Sequence, residues 1–252
     1  MVYIKDKRAI NKMRTAGKLL SHIIVREVPQ IIKEGVSSLA IDNFIEAKMR
    51  EVSLKPECKG YKGYQYATCV SINDVLVHGV PSNKVILKDG DLVKIDVVAS
   101  YKSYCVDMAR YFFVGKPSKT AEKLMQVAEN ALNKAIDQAR VGNRVRDIST
   151  AVEKEVETEG FGVVRDFAGH GVGKYIHEAP EIPNFRTENK GPILQIGMTL
   201  AIEPMITEKD AAVYIDSDGW TARTKDGGLA GHIEDTVLVT EEGPEVLTRL
   251  GD

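Results

Sequence analysis

Residues 87–96 read LKDGDLVKID, and residues 194–203 read LQIGMTLAIE. The leucine, the glycine and the isoleucine coincide in the two segments, and each segment ends in a carboxylate, Asp96 in the first and Glu203 in the second. Chance among common residues is one explanation for this match. The other is a duplicated unit, and the flanking residues favour it.

The repeat extends on both sides of these segments. The tripeptide HGV occurs at residues 78–80 and again at 170–172, and each half carries a second acid in a later apolar stretch, Asp107 and then Glu234. The order histidine, glycine, strand, acid, strand, acid therefore occurs twice. A duplicated α+β unit that faces its own copy would bring both pairs of acids to one central cleft.

Composition narrows the class of protein. The 252 residues are 43% hydrophobic and 28% charged, which is ordinary for a soluble globular chain with a sizeable core. The net charge of -2 disfavours a direct nucleic-acid site or an anionic membrane surface, and no run of about eighteen apolar residues predicts a transmembrane helix. Three cysteines, an odd number, fit reduced thiols in the cytoplasm better than a disulfide framework.

Hydrophobic periodicity predicts a mixed chain of helices and strands. Apolar residues recur at three- and four-residue spacing in four segments, which predicts helices over residues 5–30, 38–51, 120–140 and 146–159. The remaining pattern predicts a loop over residues 58–66, a strand over 67–73, and a β-hairpin with strands over 91–100 and 103–114. From residue 163 onward, strands and turns are expected again.

The predicted hairpin places two acids together. A turn centred on residues 101–102 would put Asp96 directly opposite Asp107, with Cβ atoms about 5 Å apart. Two like charges at that distance destabilise a sheet unless a shared proton or, better, a divalent cation neutralises them. The alternative is a pair of exposed aspartates on an outer face of the sheet.

The second half of the chain favours the cation. Glu203 and Glu234 lie in apolar stretches, and acids in core strands are rarely buried unless they are paired or bound to metal. His170 lies in the segment GHGVG, whose small side chains allow close approach. Four carboxylates and one imidazole suit two adjacent Mn²⁺, Fe²⁺ or Co²⁺ ions, with Zn²⁺ left open. Two such ions activate a bridging water, so the predicted reaction is hydrolysis of an amide.

The whole sequence resembles the type I methionine aminopeptidases. The matching stretches are CVSIND at residues 69–74, HGVP at 78–81, GDLVKIDV at 90–97, GHGVG at 169–173, HEAP at 177–180, GMTLAIEP at 197–204 and DGWT at 218–221. They are joined by Asp107 and Glu234, and their occurrence in one order makes the resemblance specific. It implies the pita-bread fold, an α+β architecture in which two pseudo-symmetric units form a central antiparallel sheet with outer helices. It also implies a single catalytic domain over residues 1–252, repeated as approximately 1–117 and 118–252.

The resemblance further implies roles for the residues of the central cleft. The metal ligands would be Asp96, Asp107, His170, Glu203 and Glu234. Asp107 and Glu234 would bridge the two ions, and Glu203 would also accept a proton from the attacking water. His78 would hydrogen-bond near the scissile amide, and His177 would stabilise the developing oxyanion. A monovalent cation would lie near the backbone of Asn73.

The implied substrate is the N-terminus of a nascent polypeptide, from which a monomeric cytoplasmic enzyme removes the initiator methionine when the second residue is small. The ribosome would be a further partner. The methionine side chain and the adjoining backbone would be bound by Cys58, Tyr61, Tyr64, Cys69, His78, Ile176, His177 and Trp220. The sequence departs from the family pattern at Ile176 (usually phenylalanine), Asp235 (often histidine) and Gln65 (usually proline). These departures remove no ligand, but they affect the shape of the pocket.

Two alternatives stay open at this stage. Peptidases of the same fold that act on X-Pro bonds are one, but they usually carry a separate N-terminal domain, and this sequence begins almost at once with the catalytic unit. A pita-bread module that has lost catalysis and binds proteins is the other. Such modules have broken ligand sets, whereas all five predicted ligands are present here.

Overall fold

The computed structural model describes residues 2–250, so Met1 and residues 251–252, the ends of the predicted domain, lie outside the described residues. Within that range the α-helices are α1 (Lys7–His22), α2 (Ser38–Glu51), α3 (Lys119–Asp137) and α4 (Val145–Thr158). Each predicted helix is therefore found. Side chains cap three of the starts, because Asp6, Ser37 and Ser118 each accept a hydrogen bond from the backbone N–H three residues later.

The first helix is shorter than the sequence predicts. Regular α-helix ends at His22 and gives way to a π turn at Ile23–Glu27 and a 3₁₀ turn at Val28–Gln30. Pro29 cannot donate the backbone hydrogen bond that a continuing α-helix needs. Apolar side chains stay buried through these turns, which explains why the periodicity continues past the end of the helix.

The strands form four antiparallel sheets within residues 2–250. Their bounds are β1 (Lys55–Pro56), β2 (Cys69–Ile72), β3 (Val75–Val77), β4 (Leu92–Tyr101), β5 (Tyr104–Phe113), β6 (Gly162–Val163), β7 (Ala168–Gly171), β8 (Glu178–Pro183), β9 (Thr199–Ile202), β10 (Met205–Thr207), β11 (Val213–Ile215), β12 (Ala222–Thr224), β13 (Ala230–His232), β14 (Asp235–Val239) and β15 (Pro244–Val246). One sheet pairs β4 with β1, β2 and β5, and another has the order β15-β14-β9-β7-β8. The smaller sheets are β13-β10-β6 and β11-β12-β3.

The β4–β5 hairpin is present, but its register differs from the prediction. Tyr101 pairs with Tyr104, so the turn consists of Lys102 and Ser103, whose φ angles of 49° and 66° give a two-residue turn. Asp96 therefore pairs with Ala109 and Asp107 with Val98. The predicted direct opposition of the two aspartates is wrong. The offset is two residues, so both side chains still point to one face of the sheet.

The two halves do not match as the HGV tripeptides suggest. In the sequence repeat, Lys94 of the first half corresponds to Ala201 of the second. In the sheets, Ser71 is the strand partner of Lys94, and His170 is the strand partner of Ala201. His170 therefore occupies the place of Ser71, and the match between His170 and His78 is wrong as a structural repeat. His78 instead follows β3, with a positive φ of 58°.

Helices cover the outer faces of the sheets, and the cleft lies where the two larger sheets meet. α1 and α2 pack on one large apolar core, and α3 and α4 on a second. An isolated bridge between Ala109 and Glu234 joins β5 to the strand region of the other half. No helix between residues 2 and 250 is long and apolar enough to cross a membrane.

Candidate metal centre and substrate cavity

The five predicted metal ligands meet at the base of one cavity. Asp96 lies on β4, Asp107 on β5 and His170 on β7, whereas Glu203 follows β9 and Glu234 precedes β14. The His170 Nε2 atom lies 3.7 Å from Asp107 Oδ2 and 3.5 Å from Glu203 Oε1. One oxygen or nitrogen atom from each of Asp107, His170 and Glu234 lies within 4.8 Å of the other two. Five residues that are distant in sequence thus form one cluster.

Of the four acids, Asp107 and Glu234 are buried and Asp96 and Glu203 are half-buried, and the chain places little positive charge beside them. Asp107 Oδ1 and Glu234 Oε1 are inaccessible and have no hydrogen-bond partner. Among the described residues, no lysine or arginine nitrogen lies within 4.0 Å of a carboxylate oxygen of these four acids, and Arg110 reaches only the backbone oxygen of Glu234. Burial, and then the neighbouring carboxylates, raise the pKa of Asp107, Glu203 and Glu234 well above its ordinary value. Divalent cations would neutralise the cluster and use the unpaired oxygens, so the donor set fits a metal centre.

His170 is oriented as a metal ligand. Its Nδ1 atom lies 2.9 Å from the carbonyl oxygen of Gly171, which can only accept a hydrogen bond. Nδ1 therefore carries the proton, and the lone pair of Nε2 faces the carboxylates. Burial lowers the pKa of His170 to about 3, so the ring is neutral at physiological pH, as a ligand must be.

His232 is a fourth histidine near the cluster, and sequence reasoning missed it. Its ring is buried, its Nε2 atom lies 3.4 Å from Glu203 Oε2, and that nitrogen has no hydrogen-bond partner. Burial lowers its pKa to about 4. The available signal is its position two residues before Glu234, because residues at that spacing share a face of a strand.

The cavity above the acids has a volume of about 390 Å³. Its walls include every residue predicted to bind substrate: Cys58, Tyr61, Tyr64, Cys69, His78, Ile176, His177 and Trp220. The rings of Tyr64 and Trp220 meet edge to face at 5.0 Å. Val98, Phe167 and Met205 also line the cavity, and no motif marked them in the sequence. The result is a mostly apolar pocket that ends in carboxylates.

The two predicted polar groups lie at the rim of the pocket. His177 is exposed, its Nδ1 atom lies 3.0 Å from the Tyr61 hydroxyl, and its ring centre is 4.3 Å from that of His170. His78 packs edge to face on Phe167, with ring centres 5.6 Å apart. Burial lowers the pKa of both His78 and His177, to about 4 for His78. Both imidazoles are therefore neutral at pH 7 and keep one N–H donor each.

A lysine of the chain contacts the backbone of Asn73, where a monovalent cation is expected. The Lys94 Nζ atom donates hydrogen bonds to the carbonyl oxygens of Asn73 at 2.8 Å and Ala230 at 2.7 Å. The Asn73 carbonyl thus already binds a cationic group of the chain itself. Burial lowers the pKa of Lys94 to about 7, and the negative charge of Asp74 opposes this shift.

Comparison with known proteins identifies the family. The model of metallopeptidase family M24 matches residues 11–241. This chain belongs to metallopeptidase family M24. The chain is 40% identical to the methionine aminopeptidase of Clostridium acetobutylicum, over 98% of this chain and 99% of that protein. It is also 40% identical to methionine aminopeptidase 1 of Bacillus subtilis, over 99% of this chain and all of that protein.

Solved structures of two peptidases share the fold of this chain. The methionine aminopeptidase of Thermotoga maritima superposes with a TM-score of 0.96 at 42% identity, covering 99% of this chain and 100% of that one. The prolidase of Pyrococcus furiosus superposes with a TM-score of 0.78 at 26% identity, covering 99% of this chain and 66% of that one. The predicted pita-bread fold and the predicted family are both confirmed.

Proposed function

We propose that this M24 protein is a methionine aminopeptidase that removes the initiator methionine from new polypeptides. One observation carries the proposal: two buried acids, two half-buried acids and His170, with two unpaired carboxylate oxygens, end an apolar cavity of about 390 Å³. A cavity of this size accepts one long side chain. The carboxylates at its end, with metal ions bound, would place the free amine and the scissile carbonyl of a peptide N-terminus.

The proposed centre would hold two divalent ions. Asp96, Asp107, His170, Glu203 and Glu234 would bind them, and Asp107 and Glu234 would be the acids that the two ions share. When bound, such ions lower the pKa of a water molecule and polarise a carbonyl group. The oxygen-rich set favours Mn²⁺, Fe²⁺ or Co²⁺, with Zn²⁺ also compatible.

Side chains of the protein then position the substrate and deprotonate the attacking water. Glu203 would accept the proton of the attacking water through the carboxylate oxygen that is not used as a ligand. His177 donates to the oxyanion that forms on the scissile carbonyl, and Tyr61, 3.0 Å from its Nδ1 atom, holds the ring in place. His78 hydrogen-bonds to the scissile amide from the opposite wall.

The pocket explains a preference for methionine. A methionine side chain is unbranched and polarisable, and it packs well against sulfur and aromatic surfaces. Cys58, Cys69, Tyr64 and Trp220 supply such surfaces. The second residue of the substrate lies against the metal centre and the histidines, so only small residues such as alanine, glycine or serine fit.

We propose a monomeric enzyme that acts in the cytoplasm on chains leaving the ribosome, since initiator methionine is exposed there. We also propose that residues 1–252 form one catalytic domain, with units of approximately 1–117 and 118–252.

An X-Pro peptidase is the competing function. The prolidase of Pyrococcus furiosus has the same fold, but at 26% identity and with a third of its length unmatched. The methionine aminopeptidases match at about 40% identity over their whole length. The relatives therefore favour methionine removal over cleavage before proline.

Hydrolysis of Met-Ala-Ser and of Gly-Pro, before and after strong chelation, tests the proposal. We expect Met-Ala-Ser to be cleaved, chelation to abolish cleavage, and Mn²⁺, Fe²⁺ or Co²⁺ to restore it. Full activity after exhaustive chelation would exclude a metal centre. Cleavage of Gly-Pro without cleavage of Met-Ala-Ser would favour the alternative.

A further inference from the structure

His232 has no role in the proposed mechanism, yet it lies beside the residue on which that mechanism depends. Glu203 Oε1 faces His170 at 3.5 Å, and Glu203 Oε2 faces the His232 Nε2 atom at 3.4 Å. The Nε2 atom is buried and makes no hydrogen bond. A small approach of these two atoms would satisfy both the orphan nitrogen and the second carboxylate oxygen.

The arrangement assigns different tasks to the two oxygens of Glu203. Asp107 Oδ2 and Glu203 Oε1 both lie near His170 Nε2, at 3.7 Å and 3.5 Å, so Oε1 belongs with the ligand cluster, although Glu203, His232 and Glu234 also offer donor atoms within 4.8 Å of one another. Oε2 is left for the proton of the attacking water, and it needs a donor to hold the carboxylate in one rotamer. We propose that His232, through Nε2–H, is a positioning residue for Glu203. This inference rests on the proposed function, because it assumes Glu203 as the proton acceptor.

Two substitutions separate the hydrogen bond that His232 donates from the packing of its ring. His232→Gln keeps an N–H donor, and His232→Leu keeps only bulk; exposed His22→Gln is the matched control. We expect His232→Leu to lower kcat for Met-Ala-Ser by about 10–100-fold with KM unchanged, and His232→Gln to recover most of that loss. Both variants should bind as many Co²⁺ ions as the unmodified protein. Thermal unfolding checks that they fold.

Several results would overturn the assignment. Wild-type kcat in His232→Leu would remove the role, and equal loss in both variants would show that donation is not the relevant property. Loss of a bound ion in His232→Leu would make His232 a ligand instead. ¹⁵N spectra of the histidine-labelled Zn²⁺ protein test this without variants, because Nε2 of His232 should keep its proton. If the unmodified protein neither binds Co²⁺ nor cleaves Met-Ala-Ser, the proposed function fails first.

A second inference comes from Lys94, on independent observations. Its side chain is 1% exposed, and no carboxylate within residues 2–250 forms an ion pair with it. Its acceptors are the carbonyls of Asn73 and Ala230, one from each half of the chain, and the Ala230 N–H also donates to the Asn73 carbonyl at 3.0 Å. Proteins bind alkali ions with the same arrangement, in which several backbone carbonyl oxygens surround one buried positive charge.

We propose that the Lys94 ammonium is a built-in replacement for a monovalent metal ion at the contact between the two halves. The protein then neither binds an alkali ion at these carbonyls nor gains stability from one. The tether bridges the turn after β2 and the start of β13, the strand that leads to His232 and Glu234. Its loss would leave two carbonyls without a cation.

Salt identity tests this replacement. We expect the Tm of the unmodified protein to be equal in KCl, NaCl and choline chloride at one ionic strength. Lys94→Asn should unfold at a higher temperature in KCl or NaCl than in choline chloride, by roughly 2–4 °C, whereas Lys33→Asn, which removes an exposed lysine, should show no such difference. Alkali-dependent stability or ²³Na⁺ binding in the unmodified protein would overturn the proposal. So would a Lys94→Asn protein whose Tm is indifferent to the cation.

Discussion

Glu234, which precedes β14, and Asp235, the first residue of β14, are neighbouring buried acids whose surroundings differ completely. Asp235 Oδ1 accepts from Arg110 at 2.6 Å and from the Thr248 hydroxyl at 2.8 Å, and its Oδ2 accepts from Arg249 at 2.7 Å. Glu234 Oε1 has no partner. The side behind the strand is neutralised by the chain, and the side facing the cavity is not.

The difference shows that the pairing of a buried carboxylate indicates whether it stabilises the fold or binds a ligand. A buried carboxylate that serves the fold is paired, because an unpaired one costs several kcal/mol. Burial and neighbouring acids raise the pKa of Glu234 well above its ordinary value, and the described chain offers no cation to lower it. The unpaired side is therefore the one that fits metal ions. Asp235, a departure from the usual family residue, belongs to the paired side.

The largest expected effect is on the cavity side. Glu203→Gln keeps the shape of the side chain but removes a ligand charge and the proposed proton acceptor. We expect kcat for Met-Ala-Ser to fall by roughly 10²–10⁴-fold. Glu241→Gln, at an exposed position, is the matched control. Near-wild-type kcat in Glu203→Gln would remove this residue from the mechanism.

Stability should respond oppositely on the two sides. Asp235→Asn leaves Arg110 and Arg249 without a counter-charge and should lower the free energy of unfolding by about 3 kcal/mol. Glu234→Gln in the metal-free protein reduces the repulsion between neighbouring carboxylates. It should therefore leave the free energy of unfolding unchanged. Urea unfolding of both metal-free variants measures the contrast. Equal decreases in the free energy of unfolding would mean that the two acids contribute equally to the stability of the fold.

Within the cavity side, a bridging acid should matter more than the imidazole. Asp107→Asn weakens the hold on two ions, whereas His170→Ala removes a ligand from one. We therefore expect metal stoichiometry to fall further in Asp107→Asn. Near-full and equal occupancy in both variants, measured by elemental analysis, would contradict the assignment of Asp107 as a bridge.

The pH dependence should differ between metal-free and metal-loaded protein. A carboxyl whose pKa is raised by folding contributes stability that is complete below its unfolded pKa of about 4 and is lost as pH rises through the folded value. Asp107, Glu203 and Glu234 are raised in this way, and metal binding must displace their protons. The gain in Tm on adding Co²⁺ should therefore grow as the pH rises above about 4, the ordinary pKa of a carboxyl group. A gain that is flat or shrinks would argue against these acids as the ligands.

The smallest effect concerns the methionine pocket. Ile176 lines the cavity where the family usually has phenylalanine, so the thioether loses an aromatic contact worth about 0.3–1.5 kcal/mol. We expect weak discrimination between methionine and norleucine, and sharper discrimination in Ile176→Phe. The ratio of kcat/KM for Met-Ala-Ser and norleucyl-Ala-Ser measures it. An unchanged ratio would show that residue 176 does not contact the sulfur.

Sequence patterns predicted the elements better than their register. The hairpin that carries Asp96 and Asp107 follows from two apolar runs around a short turn. Its register does not, because a turn at Lys102 and Ser103 requires two left-handed residues that neither side chain favours in isolation. The even offset of two residues kept both acids on one face, so the cluster was still predicted.

Side chains with unusual surroundings were beyond sequence reasoning. Lysine is almost never fully buried, so nothing in the sequence indicated that Lys94 would reach two carbonyls from different halves. His232 matched no motif, and only the fold shows that it faces Glu203. In both cases the partner is distant along the chain, and its identity depends on how the sheets meet.

Titration of Co²⁺ into metal-free protein by calorimetry tests the central claim most directly. Two ions per chain should bind, with release of protons, in the unmodified protein and in Asp235→Glu, which keeps the charge behind the strand. Glu234→Gln should bind fewer. No binding to the unmodified protein, or full binding to Glu234→Gln, would contradict a metal centre built on the unpaired acids.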